Sequence, residues 1–179
     1  MRRNNKEIWL SLVAIVIITG IYAFVALWKR TIPAASGFFG HMIGVVGFLL
    51  MLTTEILYSL RKRSRKARWG NMAEWLQFHI FTGLVGPYMV LLHSSWKFKG
   101  LAGAVTVLTG IIVVSGFIGR YIFTRIPRTL EGLELGQAAS PEQAAAFARA
   151  RRLLAVWHAI HIPIGMALFT AAFFHIVGA

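Results

Sequence analysis

Long runs of apolar residues, separated by short polar or charged segments, make up most of the chain. Because the hydrocarbon core of a bilayer is about 30 Å thick, a helix needs roughly 20 apolar residues to cross it. Five runs have this length: Ile8–Trp28, Gly37–Leu60, Glu74–Ser94, Gly100–Phe123 and Leu153–Val177. The pattern predicts an all-α integral membrane protein with five transmembrane helices, which form a single domain over residues 1–179. The first run exceeds the 7–15 apolar residues of a cleaved signal peptide, so we interpret it as an anchor helix.

Composition supports this interpretation and excludes several kinds of redox site. The chain is 57% apolar and only 14% charged, whereas soluble domains carry about 25% charged residues. It contains no cysteine, which excludes disulfides, cysteine-ligated iron–sulfur clusters and covalently attached c-type haem. The net charge of +13 is interpreted as a topology signal, and we expect no nucleic-acid partner.

The basic residues predict the orientation of the spans. With the N-terminus in the cytoplasm, 15 of the 19 Lys and Arg residues fall in cytoplasmic flanks, and 4 fall outside. Those four are Lys29, Arg30, Lys97 and Lys99. Because Lys and Arg accumulate on the cytoplasmic side, we predict a cytoplasmic N-terminus and a C-terminus on the outer side.

The largest segment outside the predicted spans is a cytoplasmic loop over residues 125–152. Within it, Ser140–Gln143 reads Ser-Pro-Glu-Gln, which is typical of a helix start with a serine cap and a proline at the first position. We expect the alanine-rich run that follows, up to Arg152, to be a helix that leads directly into the fifth span. The loop is too short to hold a catalytic domain.

Four histidines form a repeated pattern within the third and fifth spans. His79 and His93 are 14 residues apart, and so are His161 and His175. Fourteen residues are close to four helical turns, so each pair lies on one helix face, about 21 Å apart along the axis. The third and fifth spans run in the same direction, which predicts that His79 lies at the depth of His161 and His93 at the depth of His175.

The neighbours of these histidines repeat as well. Both spans contain the pattern W-x3-H-x3-G-x9-H, which aligns Trp75 with Trp157 and Gly83 with Gly165. A glycine one turn beyond the first histidine removes side-chain bulk where a flat porphyrin would approach the backbone. We predict that these four residues line two cofactor sites.

Two facing histidines at each of two depths match the axial ligands of two haem b groups. The inner haem would be held by His79 and His161, and the outer haem by His93 and His175. A structural zinc site needs four ligands together, whereas each level offers two histidines. A proton relay built from histidines is the other alternative, but it does not require two equal 14-residue spacings. Electron transfer through the membrane is therefore the favoured function, and a histidine-lined proton or metal transporter without haem is the alternative.

Two further segments carry a family resemblance. Gly119–Tyr121 and Ile126–Arg128 precede a span with the pattern W-H-x2-H-I-P. With the two H-x13-H pairs, the chain resembles di-haem transmembrane cytochromes b, and most closely bacterial ferric-reductase-like membrane subunits, over roughly Gly37–Ala179. The resemblance implies two b haems that carry electrons across a bacterial inner membrane. We expect spans two to five to form a four-helix haem-binding bundle, with span one peripheral.

Other polar residues are weaker candidates for contacts with the cofactors. His158 precedes His161 by one turn and is either an interfacial histidine or a contact to the inner haem or a quinone. His41 begins the second span near the outer surface, which makes it a candidate contact to a quinone headgroup or the outer haem. Cationic partners for haem propionates are available on the inner and outer sides, although contact with lipid headgroups explains the same charges. These cations are Arg68, Arg151, Arg152, Lys97 and Lys99.

The chain shows no flavin, nicotinamide or iron–sulfur motif. We therefore expect an electron-transfer subunit of an oxidoreductase complex and not a complete enzyme. Electrons would pass to or from a quinone, or a partner such as a periplasmic c-type cytochrome or an iron–sulfur protein. The short loop Ser95–Gly100 and the position of His175, four residues from the end, favour docking of this partner at the outer surface.

Overall fold

The computed structural model describes residues 5–63, 70–123 and 141–178, and every regular element among them is an α-helix. The helices are α1 (Lys6–Lys29), α2 (Phe38–Arg63), α3 (Met72–His93), α4 (Gly100–Phe123) and α5 (Pro141–Val177). All five are long and apolar enough to cross a membrane. The prediction of an all-α membrane protein with five spans is confirmed, and contact between these helices and lipid follows from it.

Apolar side chains on the outside of the helices agree with a lipid environment. Large apolar residues are exposed along every helix, for example Phe24 on α1, Val107 on α4 and Met166 on α5. In water such a surface would be unfavourable, whereas hydrocarbon solvates it. The chain is therefore a multi-pass membrane protein.

The boundary of the fifth helix differs most from the predicted span. α5 begins at Pro141 and not at Leu153, so residues 141–152 of the predicted loop are helical, as their capping sequence indicated. With 37 residues, α5 is about 55 Å long, far more than the bilayer core requires. Ser140 and the rest of the loop up to it lie outside the described residues.

The third helix has a well-defined start. The side chain of Asn71 accepts a hydrogen bond from the backbone of Ala73, and Glu74 reaches back to the backbone N–H of Asn71. This capping box satisfies donors that the first helical turn leaves open. It fixes the start of α3 at Met72, two residues before the predicted span.

The chain divides into two compact units, Met1–Val107 and Leu108–Ala179, and the division falls within α4. In the first unit, α2 packs closely on α3. A Cβ added to Gly47 would lie 2.8 Å from the Cβ of Met89, and one added to Gly86 would lie 2.9 Å from the carbonyl oxygen of Gly47. Small residues allow helices in membranes to approach closely. The side chains of Thr54 and Thr82 also form a hydrogen bond across this contact.

The first helix packs on α3, and the hydroxyls of Thr19 and Tyr88 lie 2.5 Å apart. Most of its other side chains are exposed. The connection between α3 and α4 bonds to the one between α1 and α2, because the Ser95 hydroxyl donates to the Pro33 carbonyl at 2.6 Å. The first unit is thus stabilised by contacts between its helices and by a hydrogen bond between two of its connections.

The second unit contains the part of α4 from Leu108 to Phe123, together with α5. Trp157 of α5 lies against Gly119 of α4, where an added Cβ would fall 2.2 Å from the indole ring. About two turns further along α5, a Cβ added to Gly165 would lie 3.9 Å from Cδ1 of Ile112 on α4. A bundle of spans two to five would combine residues of both units, and it stays a prediction.

Candidate functional site

His93 lies in the last turn of α3, and its ring contacts α2. Its Nδ1 atom is 2.9 Å from the carbonyl oxygen of Gly40. A Cβ on Gly44 would lie 2.6 Å from the ring, so the glycine provides the space that the imidazole occupies. With the hydrogen on Nδ1, this nitrogen donates to the carbonyl, and the Nε2 lone pair is left for a ligand.

His41 is close to this ring. The His41 and His93 ring centroids are 6.4 Å apart, and the rings meet edge to face. His41 is exposed in the first turns of α2. The structure therefore places His41 beside a predicted ligand of the outer haem, while its contact with a quinone stays a prediction.

His79 lies near the other end of α3 and is half-buried. Its ring centroid is 4.7 Å from that of Tyr58 on α2. Trp75, which the repeated pattern grouped with His79, makes an edge contact with Phe78 at 5.9 Å. A Cβ on Gly83 would have no neighbouring atom of the described residues within 4 Å, so open space adjoins the backbone one turn beyond His79.

Both histidines of α3 thus contact α2, through Tyr58 at one end and Gly40 and Gly44 at the other. This agrees with the expectation that a spacing of 14 residues places two side chains on one helix face. The separation of 14 residues along α3 places the two rings near opposite ends of the helix.

His161 in α5 has the most defined surroundings of the four. Its Nδ1 atom lies 3.0 Å from the hydroxyl oxygen of Ser115 on α4. The ring of Trp157 stacks on it, with centroids 4.5 Å apart and an interplanar angle of 29°. The Trp157 Nε1–H donates to the Ser115 carbonyl at 2.7 Å. As in His93, the Nδ1 atom of His161 has an oxygen partner, and its Nε2 atom is left for a ligand.

His158 and His175 differ from His161. The Nδ1 atom of His158 is 2.9 Å from the carbonyl oxygen of Leu154, one turn earlier in its own helix. α5 is helical throughout, including Pro163, so the angular offset of about 100° between His158 and His175 applies. His175 is half-buried in the last turn of α5. Gly165 differs from Gly83, since a Cβ there would be in van der Waals contact with Cδ1 of Ile112 at 3.9 Å.

The basic residues proposed for propionates fall in three places. Arg151 and Arg152 are exposed on the N-terminal part of α5. Lys97 and Lys99 are exposed in the connection that follows His93. Arg68 lies outside the described residues. The role of these cations as partners of haem propionates stays a prediction.

Sequence reasoning missed the residues that orient the histidines. Gly40 and Gly44 receive His93, while Ser115 and Gly119 receive His161 and Trp157. Both groups have a four-residue spacing, which places two small residues on one helix face. That spacing was a usable signal, although it does not identify which histidine lies opposite.

The residue types of the predicted ligands are compatible with a porphyrin-bound iron. Over residues 5–63, 70–123 and 141–178, no group of three or more His, Asp or Glu side chains could hold a metal ion. A bis-histidine haem requires only two protein ligands, because the porphyrin supplies the other four. Two histidines whose Nδ1 atom has an oxygen partner, His93 and His161, and the open space beside Gly83 fit this requirement.

Comparison with known proteins adds no relative: no family model, no curated protein and no solved structure matches the chain. The resemblance to di-haem cytochromes b therefore rests on the histidine spacing and the short motifs around it.

Proposed function

We propose that this chain is a membrane subunit that carries electrons across the bilayer through two bis-histidine b-type haems. His79 and His161 hold the inner haem, and His93 and His175 hold the outer one. The observation that carries the proposal is the pair of 14-residue histidine spacings on two helices of suitable length, α3 and α5. When bound, haem b supplies an iron that accepts and releases single electrons.

The hydrogen bonds of two histidines support this proposal. Metal-ligating histidines almost always donate their second ring N–H to a carbonyl or another oxygen, which fixes the tautomer and the ring orientation. His93 has the Gly40 carbonyl at 2.9 Å, and His161 has the Ser115 hydroxyl at 3.0 Å. In both residues this contact favours the tautomer whose Nε2 lone pair can bind an iron.

The predicted topology favours a redox partner on the outer side of the membrane. The N-terminus lies in the cytoplasm of a bacterium, and the outer haem lies near the connection between α3 and α4. That connection is short, running from Ser94 to Lys99, so little protein separates His93 from the outer surface. A quinone, a periplasmic c-type cytochrome or an iron–sulfur protein exchanges electrons there, and the chain acts as a subunit of a larger oxidoreductase.

The direct test is haem analysis of the purified protein. We expect two haem b per chain by pyridine haemochrome assay, with b-type absorption bands on reduction. His93→Ala and His175→Ala should each retain one haem, and the control His158→Ala should retain two. Absence of haem from the unmodified protein would refute the proposal and favour a histidine-lined transporter.

A second test uses the open space beside Gly83. In the part of the chain that the structure describes, no neighbouring side chain or helix lies within 4 Å of a Cβ at this position, so the first side-chain carbon of Gly83→Leu has room. If a porphyrin occupies this space, the leucine excludes it, and about half of the haem is lost. The control is Gly20→Leu in α1, whose Cβ also has nothing within 4 Å and lies on a helix without a predicted ligand. Full haem content in Gly83→Leu would contradict the proposed location.

A further inference from the structure

Ser115 of α4 contacts two side chains of α5 at once. Its hydroxyl oxygen is 3.0 Å from Nδ1 of His161 and 3.1 Å from Nε1 of Trp157. Its backbone carbonyl accepts a shorter hydrogen bond, of 2.7 Å, from the same Trp157 Nε1–H. Trp157 is therefore held mainly by the backbone of Ser115, whereas His161 depends on the hydroxyl.

The second constraint on His161 is the stacked indole of Trp157. The two rings are 4.5 Å apart and inclined by 29°. Gly119, one turn beyond Ser115, leaves the space for this indole, since a Cβ there would fall 2.2 Å from the ring atoms Cε2 and Cζ2. One edge of the imidazole is held by Ser115, and one face is covered by Trp157.

We propose that Ser115 is a positioning residue for the inner haem: its hydroxyl accepts the Nδ1–H of His161, directs Nε2 towards the iron and sets the redox potential of that haem. This inference rests on the proposed function. It assigns a role to a residue of α4, a helix that carries no predicted ligand.

The sign of the effect follows from the hydrogen bond. An acceptor at Nδ1 makes the imidazole a stronger electron donor, which stabilises ferric iron relative to ferrous iron. Removal of the acceptor should therefore raise the midpoint potential of one haem. The other haem, whose ligands do not contact Ser115, should keep its potential.

The experiment is a redox titration of purified, haem-loaded protein carrying Ser115→Ala. This variant removes the hydroxyl and keeps the backbone carbonyl that binds Trp157. We expect two haems per chain, with one potential raised by up to about 59 mV, equivalent to a tenfold change in the ratio of reduced to oxidised haem. Ser115→Thr, which retains a hydroxyl, should restore the original value.

The matched control is Thr170→Ala on α5. Its hydroxyl bonds only to the Met166 carbonyl of the same helix at 2.8 Å, so both potentials should stay unchanged. Loss of one haem from Ser115→Ala with retention in Ser115→Thr would also support the role of the hydroxyl. Unchanged potentials in Ser115→Ala, or loss of haem from both Ser115 variants, would overturn it. Absence of haem from the unmodified protein would instead refute the proposed function.

Discussion

In both His93 and His161 the Nδ1 atom lies within hydrogen-bonding distance of an oxygen, but the two oxygens are of different kinds. Nδ1 of His93 lies against the backbone carbonyl of Gly40, and Nδ1 of His161 lies against the side chain of Ser115. Glycine provides the space in both places: Gly44 receives the imidazole of His93 directly, whereas Gly119 receives the indole that covers His161.

The difference determines how each ring is held. A side-chain substitution cannot delete a backbone carbonyl, so the orientation of His93 depends on how closely α2 approaches α3. The close contact at Gly47 and Gly86 sets that approach. The orientation of His161 depends instead on a hydroxyl and an indole, which substitutions can change separately. The first site is thus coupled to helix packing, and the second can be adjusted by single side chains.

The largest expected effect comes from Gly44→Leu. Its Cβ would lie 2.6 Å from the His93 ring, so the ring must move away from the Gly40 carbonyl. Under the proposed function, the outer haem is lost and the haem content falls by about half. Gly20→Leu, in open space, is the control. Two haems in Gly44→Leu would show that the backbone contact does not determine the orientation of His93.

A smaller effect is expected from Gly119→Ala. The added methyl group would lie 2.2 Å from the Trp157 ring and displace it from the face of His161, although the Ser115 hydroxyl remains. We expect about tenfold weaker binding of one haem, which is typical of changes around a metal ligand. Titration of the apoprotein with haemin measures this.

The control for that experiment is Gly110→Ala on the same helix, whose Cβ has nothing within 4 Å. Equal haem affinity in the two variants would mean that the stacked indole contributes nothing to His161, and that the hydroxyl alone distinguishes this site from the one at His93.

The smallest effect is expected from Thr82→Val. It removes the hydrogen bond between Thr82 and Thr54 across α2 and α3, while Thr54 keeps its bond to the Leu50 carbonyl at 2.8 Å. Such interhelical bonds contribute about 0.6 kcal/mol on average in membrane proteins. Denaturation in mixed micelles should show a loss of this size, with unchanged haem content. A loss of haem would show that polar contacts, and not glycine packing, position α3.

The structure shows aromatic contacts at both repeats of the histidine pattern. Trp157 of α5 stacks on His161, Tyr58 of α2 lies against His79, and Trp75 makes an edge contact with Phe78. The tyrosine contact could not be read from the repeat, because it comes from a neighbouring helix. Equivalent roles of Trp75 and Trp157 beside a cofactor stay a prediction.

The sequence by itself determined the number of spans, the shared face of His79 and His93, and the helical start of α5 near Pro141. These depend on chain length, helical period and capping, which are local properties. Only the tertiary structure identified Gly40 and Ser115 as the acceptors for His93 and His161. Those contacts join residues 53 and 46 positions apart, and they exist only because neighbouring helices pack at one register.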